Sequence, residues 1–181
     1  MVGSALSLSG AAYQGVFKNP LVAPDLLGVS SGACVGASVA ILLHLNSFGV
    51  QAMAFVAGIL SVGLTLFIPR LIKNTNMTML VLSGIIVKGI MDSVMGIIKY
   101  VADPETELQS ITYWQLGSLT KVLPRDLFTV GPVIIAASVI IFLLRWRINI
   151  LSLGDREAKT LGVSVTVVRN FIIICATLLT A

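Results

Sequence analysis

The chain reads as an all-α, polytopic helical membrane protein, on three observations. Hydrophobic residues fill 56% of its 181 positions and charged residues only 11%, where a soluble domain carries about a quarter charged. Mean hydropathy is +0.99. The apolar residues gather into about six stretches of the length a hydrocarbon core demands, roughly 20 residues each. The formal charge of +4 is no nucleic-acid footprint, because the basic residues stand at the ends of those stretches, where membrane topology puts them. Met1 is followed by small residues and not by a basic region, so no secretory signal is expected. Cys34 and Cys175 lie in separate apolar spans without a ligand partner nearby and read as core cysteines, so no metal site or cofactor is expected.

Taken in order, the first span covers Val2 to about Val16 and carries Gly3, Ser7, Ala11 and Gly15 at four-residue spacing. Small residues in register let a second helix approach closely, which is how membrane helices gain van der Waals contact. Lys18 to Asp25 holds two prolines, each biasing its predecessor out of the helical region, and reads as extended. The second span, Leu27 to Leu45, opens on another small-residue stripe, Gly28, Gly32 and Gly36, around Ser30 and Ser31. Asn46 to Gly49 is a tight turn, and Val50 to Ile68 is a third span stopped by Pro69, Arg70 and Lys73. Met79 to Ile98 is a fourth span with Lys88 and Asp92 four residues apart on one face. Ionisable residues at membrane depth are functional candidates, and at this spacing they can also neutralise each other. His44, at a span end, suits an interface better than a ligand set.

From Lys99 to Asp126 the chain is more polar. Ile111 to Leu119, with Tyr113 and Trp114, is too short to span and suits an interfacial or re-entrant helix. A fifth span runs from Leu127 to Leu144, and a sixth begins after Gly162 and is still apolar at Ala181.

The longest polar interval between two spans is Ile150 to Val163. Ser152 with Asp155 three residues on has capping-box spacing, which predicts a helix starting at Ser152. Asp155 and Glu157 then fall in its first turn, where the macrodipole favours them, Lys159 falls later, and Gly162 supplies a left-handed stop. Leu153, Ala158 and Leu161 are its apolar residues for packing. Two readings stand: a docking element for another protein, or a solvated connector.

Orientation follows from Lys and Arg at the loop ends. Lys18, Arg70, Lys73, Arg145, Arg147, Arg156, Lys159 and Arg169 fall on one side, and Lys99, Lys121 and Arg125 on the other. The richer side is expected in the cytoplasm. Loop 145–162 is then cytoplasmic and loop 99–126 external, with the acids Asp103, Glu105, Glu107 and Asp126 outside. Walker A and HExxH patterns are absent from the sequence, so an enzyme is not expected and ATP, if used, is hydrolysed by a partner chain. A transporter subunit fits best. The alternative is a secondary, ion-coupled transporter working through Lys88 and Asp92; a membrane-embedded enzyme is a third and weaker reading.

Three blocks carry a resemblance: Gln14 to Ala33 (QGVFKNPLVAPDLLGVSSGA), Trp114 to Leu119 (WQLGSL) and Leu151 to Val163 (LSLGDREAKTLGV). In this order they resemble the FecCD-type permeases of ABC importers for iron–siderophores, haem and cobalamin. The resemblance covers essentially the whole chain, and the first block is the most specific. It implies a permease of about ten membrane helices, of which residues 1–181 would be a partial transmembrane permease domain, family helices about 2 to 7. It also implies a second permease subunit in a homo- or heterodimer, two cytoplasmic ATP-binding subunits, an extracytoplasmic substrate-binding protein, and the lipid of a prokaryotic cytoplasmic membrane. Iron–siderophore complexes are the expected cargo. The family's ATPase-contacting loop matches Leu153, Gly154, Asp155, Arg156, Glu157, Ala158, Lys159, Leu161 and Gly162. Its external helix near the path's mouth matches Tyr113, Trp114, Gly117 and Ser118. Lys88 and Asp92 occupy a helix expected to be mostly apolar in relatives, so the resemblance assigns them no role.

Overall fold

A computed structural model of the chain describes residues 1–73, 76–118 and 124–180, with 124–126 and 129 described by backbone alone. Leu119, Lys121 and the side chains of Arg125 and Asp126, used above for motif and orientation, lie outside the described residues. All regular structure among the described residues is helical: α1 (Val2–Phe17), a 3-10 turn (Pro24–Leu27), α2 (Val29–Leu42), α3 (Ser47–Leu71), α4 (Met77–Val101), α5 (Glu107–Leu116), α6 (Pro124–Leu143), α7 (Arg145–Leu153), α8 (Asp155–Thr160) and α9 (Val165–Leu178).

Among the described residues the count of about six spans is not met by length. α3 and α4, of 25 residues each, are long and apolar enough to cross a membrane, and α6 continued by α7 across a 52° bend makes up to three. α2 has 14 residues, short of the roughly 20 that a straight span requires, while α1 (16 residues) and α9 (14) stand at the two ends of the sequence. The apolar stretches are longer than the helices they contain. In the second stretch, the chain leaves the helix at Leu43 and His44, the latter with φ 51°. Pro69 does not stop α3. It sits buried in the last turn and the helix runs on to Leu71, the chain turning away at Lys73 with φ 55°. At the other end, Asn46 caps α3 by accepting the Gly49 N–H at 2.8 Å.

Contacts divide the chain into two compact units, residues 25–123 and residues 1–24 with 124–180. In the first, α2 packs chiefly on α3 and also on α4 and α5. The Gly28, Gly32, Gly36 stripe makes this possible. A Cβ at Gly32 would stand 2.5 Å from the Ser61 Cβ of α3, and one at Gly36 would run into the Met53 carbonyl oxygen. Only glycine leaves that backbone room. The segment expected to be extended, Lys18 to Asp25, carries no helix before Pro24, where the 3-10 turn begins, and tertiary hydrogen bonds hold the far end of that turn. Ser61 Oγ donates to the Gly28 carbonyl (2.8 Å) and Thr65 Oγ1 to the Leu27 carbonyl (3.1 Å), both hydroxyls buried. The Gly28 carbonyl also accepts the Gly32 N–H at 3.0 Å, so the Ser61 hydroxyl is its second donor, and the two hydroxyls tie this turn to α3. Gly84 of α4 brings that helix against the Leu26 carbonyl from the other side.

In the second unit, α1 packs on α9, α7 and α6. Ser9 Oγ donates to the Ala176 carbonyl (3.0 Å) and Tyr13 Oη lies 3.1 Å from Thr177 Oγ1. The buried face is Ala5, Ser9, Ala12, Tyr13 and Val16. The expected stripe is therefore not the face used within this chain: Gly3, Ser7 and Ala11 are exposed, and only Gly15 is close-packed, 2.6 Å from Ile148 Cγ2 for an added Cβ. Spacing alone does not decide between two faces that both carry small residues.

Candidate functional site

The polar interval between α6 and α9 is more structured than its composition suggests. Arg145–Leu153 forms a full helix, α7, where a loop was expected. Its Leu144, Ile148 and Leu151, at i, i+4 and i+7, face inward and are at least half-buried, a helical period that the flanking arginines conceal.

α7 overturns the capping box. Ser152 belongs to the last turn of α7, and its hydroxyl donates to the Asn149 carbonyl at 2.7 Å. The next helix, α8, starts only at Asp155, after Gly154 at φ 149° and ψ 154°, a backbone conformation that L side chains rarely adopt, and no side chain caps it. The far end is as expected. Gly162 has φ +74°, its N–H donates to the Lys159 carbonyl (3.0 Å), and the Val163 N–H reaches the Ala158 carbonyl (3.0 Å). This is a Schellman motif, which glycine enters without the penalty a Cβ carries in the left-handed region.

Asp155 does different work. Arg169 Nη2, from the first turns of α9, donates to both its carboxylate oxygens at 2.7 and 2.8 Å, and Lys18 Nζ, from the end of α1, approaches at 3.4 Å. Arg169 is buried, its side chain 7% exposed, while that of Asp155 is 46% exposed. Burial alone would raise the Asp155 carboxyl, but the Arg169 hydrogen bonds and charge, aided by Lys18, outweigh it and hold the group below its ordinary value of 3.8. The first residue of α8 is thus clamped to two other helices. Sequence reading used Arg169 and Lys18 only as topology markers; the sole signal of the clamp was a lone arginine inside an apolar stretch.

Of the apolar residues assigned to packing, only Ala158 is buried, at 0%. Leu153 (67% exposed) and Leu161 (60%) stand outside with Arg156, Glu157 and Lys159. α8 therefore presents three charges outward from a clamped base, with Leu153 at the end of α7 and Leu161 just past α8 exposed on either side of it.

A folded-state carboxyl held below its unfolded value stabilises the protein above that unfolded value, and the contribution disappears as pH falls through the depressed one. The melting-temperature gap between wild type and Asp155→Asn should stay constant from neutral pH down to about 4 and close below it. A gap that closes between pH 7 and 5 would mean that the clamp is held by some other titrating group.

In the unit of residues 25–123, α5 begins at Glu107, earlier than the expected Ile111, because Glu107 reaches back to the Asp103 N–H (3.0 Å). Trp114 is half-buried and packs on the cluster of Ala33, Ala37, Ala40, Val50 and Ala54 from α2 and α3. Tyr113 (65% exposed), Gly117 and Ser118 lie outward. Lys99 Nζ donates to Gln115 Oε1 at 2.5 Å, and His44 Nε2 lies 3.5 Å from Glu107 Oε1. The helix is pinned at both ends by polar contacts and by one indole.

Lys88 does not pair with Asp92. It forms its ion pair with Asp25, in the 3-10 turn before α2, whose other carboxylate oxygen accepts the Ser30 N–H at 3.2 Å. Asp92 is exposed. The i,i+4 option loses because Asp25 already holds the turn against α4, and a carboxylate there would be costly without a cation. Lys88 lies about 16 Å along α4 from its start, at 1.5 Å per residue, near the middle of that helix. Asp25→Asn alone should lower thermal stability, and exchanging the charges as Asp25→Lys with Lys88→Asp should restore much of the loss. Melting temperatures in detergent decide this, and a double exchange no better than the worse single variant would reject the pair.

Two helices of membrane-crossing length among the described residues, one with Lys88 near its middle paired to Asp25, fit a helical membrane protein. The chain belongs to the FecCD transport family, whose model matches residues 1–181. It is 34% identical over 173 residues to the molybdate import system permease protein MolB of Haemophilus influenzae, covering 95% of this chain and 51% of that one. It is 35% identical over 181 residues to a Helicobacter pylori (strain 26695) protein named "probable iron chelatin transport system permease protein", covering 100% and 54%. A solved metal-chelate type ABC transporter in an inward-facing conformation matches with a TM-score of 0.92 at 32% identity, over 99% of this chain and 57% of that one. The chain thus spans about half the length of the curated relatives it matches.

Proposed function

We propose that this chain is the part of an ABC importer permease that receives the ATPase stroke and forms one wall of the translocation path, with an iron–siderophore complex as cargo. The observation that carries the reading is the clamp on α8. A six-residue helix has little stability of its own, yet here Arg169 and Lys18 hold its first residue and a Schellman motif closes its last. A helix so held moves as a rigid body with α9 and α1, which is what a lever between an ATPase and membrane helices requires. The outward Leu153 and Leu161, ringed by Arg156, Glu157 and Lys159, give the ATP-binding subunit an apolar contact with a charged rim.

Family membership supports the remaining parts of the reading. A second permease subunit, two ATP-binding subunits and an extracytoplasmic substrate-binding protein complete the importer in a prokaryotic cytoplasmic membrane. Loop 145–162 faces the cytoplasm and loop 99–126 the outside, and Tyr113, Trp114, Gly117 and Ser118 stand near the mouth of the path. A metal chelate is supported by the solved relative and the Helicobacter protein; the Haemophilus relative is a molybdate permease. The ion-coupled alternative loses its main support, since Lys88 is engaged by Asp25 and not by Asp92.

The test is uptake into proteoliposomes holding the assembled importer, with ATP inside and substrate-loaded binding protein outside. Ferric siderophore should accumulate only with ATP. Accumulation driven by a proton gradient without ATP would overturn the importer reading, and ATP-driven uptake of molybdate in preference to ferric siderophore would overturn the cargo.

A further inference from the structure

We propose that α7 is a membrane-surface helix that binds the headgroups of anionic phospholipids through Arg145 and Arg147. α7 turns 52° away from α6 immediately after that apolar helix ends, as a chain does when it leaves the hydrocarbon and runs along the interface. Its inner face, Leu144, Ile148 and Leu151, packs within its own unit. The outer face carries Trp146, 72% exposed, which with Phe142 (57%) and Leu143 (74%) at the end of α6 makes an exposed apolar patch.

Tryptophan is the residue that membrane interfaces favour, and an apolar patch flanked by arginines is the signature of a helix lying in the headgroup layer. Both arginines are exposed, and neither has a carboxylate within salt-bridge distance among the described residues. Arg145 stacks on the Phe142 ring at 4.4 Å, which leaves its N–H edge available, and a guanidinium fork matches the paired oxygens of a phosphate. Charge complementarity selects anionic lipid over zwitterionic lipid. The commoner fate of exposed arginines, a solvated protein surface, does not account for the tryptophan between them or for Phe142 and Leu143 just before them. A protein partner on this face is the rival occupant.

The importer is reconstituted in nanodiscs of phosphatidylcholine alone or mixed with phosphatidylglycerol, with a fluorophore on Asn149→Cys. Quenching is measured with nitroxide carried by the headgroup of either lipid. Phosphatidylglycerol should quench at least about threefold more than phosphatidylcholine, the preference weakening with salt. Arg145→Gln with Arg147→Gln should abolish the preference while uptake by the assembled importer persists, and the corresponding lysine pair should retain it. Equal quenching by both lipids in wild type would overturn the proposal. So would no quenching by either lipid together with protection of the label on adding the ATP-binding subunit, which would give the face to a protein partner.

Discussion

Asp155→Leu should cut substrate uptake by the assembled importer about tenfold or more while the protein still reaches the membrane. The substitution leaves the buried Arg169 guanidinium without its carboxylate, and Arg169 Nε already lacks a hydrogen-bond partner among the described residues. Removing one member of a fully buried pair costs about 3–5 kcal/mol; here water reaches Asp155, so about 2 kcal/mol is the better figure. That is more than six residues of helix can offset, so α8 should fray first. Faster hydrogen exchange at the amides of 155–160, with α1 and α9 unchanged, would register it. Asp155→Glu, which keeps the charge, should lose far less. Wild-type exchange and uptake in Asp155→Leu would remove the clamp from the account.

Gly36→Leu should have the second large effect, on assembly and not on coupling. A Cβ there would meet the Met53 carbonyl oxygen and the Ala57 Cβ, the latter at 2.6 Å. Backbone cannot rotate away as a side chain can, so α2 and α3 must separate and forfeit contact along their whole seam. Overpacking of this kind costs about 3 kcal/mol or more. Folded protein recovered in detergent should fall severalfold. Gly63→Leu, on α3 where nothing lies within 4 Å, is the control and should be recovered as wild type; equal yields for both would reject the close-packed stripe.

The physical reach of each interaction explains what could be read from the sequence. α1 was placed to within a residue, and the Gly28, Gly32, Gly36 seam was legible because helix contact depends on a local, periodic property. Membrane length misled: assuming about 20 residues per span stretched α2 beyond its 14. α7 stayed hidden because Arg145, Arg147 and Asn149 make its window polar, and the neighbouring α8 was started too early because Ser152 has a capping residue's identity but sits in α7. The ion pairs were the least legible. Lys88 with Asp25 and Asp155 with Arg169 and Lys18 join residues far apart in sequence, and no local spacing announces them. Sequence offered Asp92 to Lys88 and a backbone amide to Asp155, and the folded chain supplied a better partner in each case.

The measurement closest to the central claim is the stimulation of ATP hydrolysis by loaded binding protein in liposomes, compared between wild type, Asp155→Leu and Gly162→Val. Gly162→Val forces a β-branched residue to φ +74° and loosens α8 at the end opposite the clamp. If α8 carries motion between ATPase and permease, both variants should assemble and bind the binding protein, yet lose most of the stimulation while basal hydrolysis persists. Full wild-type stimulation in both would contradict the account and leave residues 150–163 as a solvated connector.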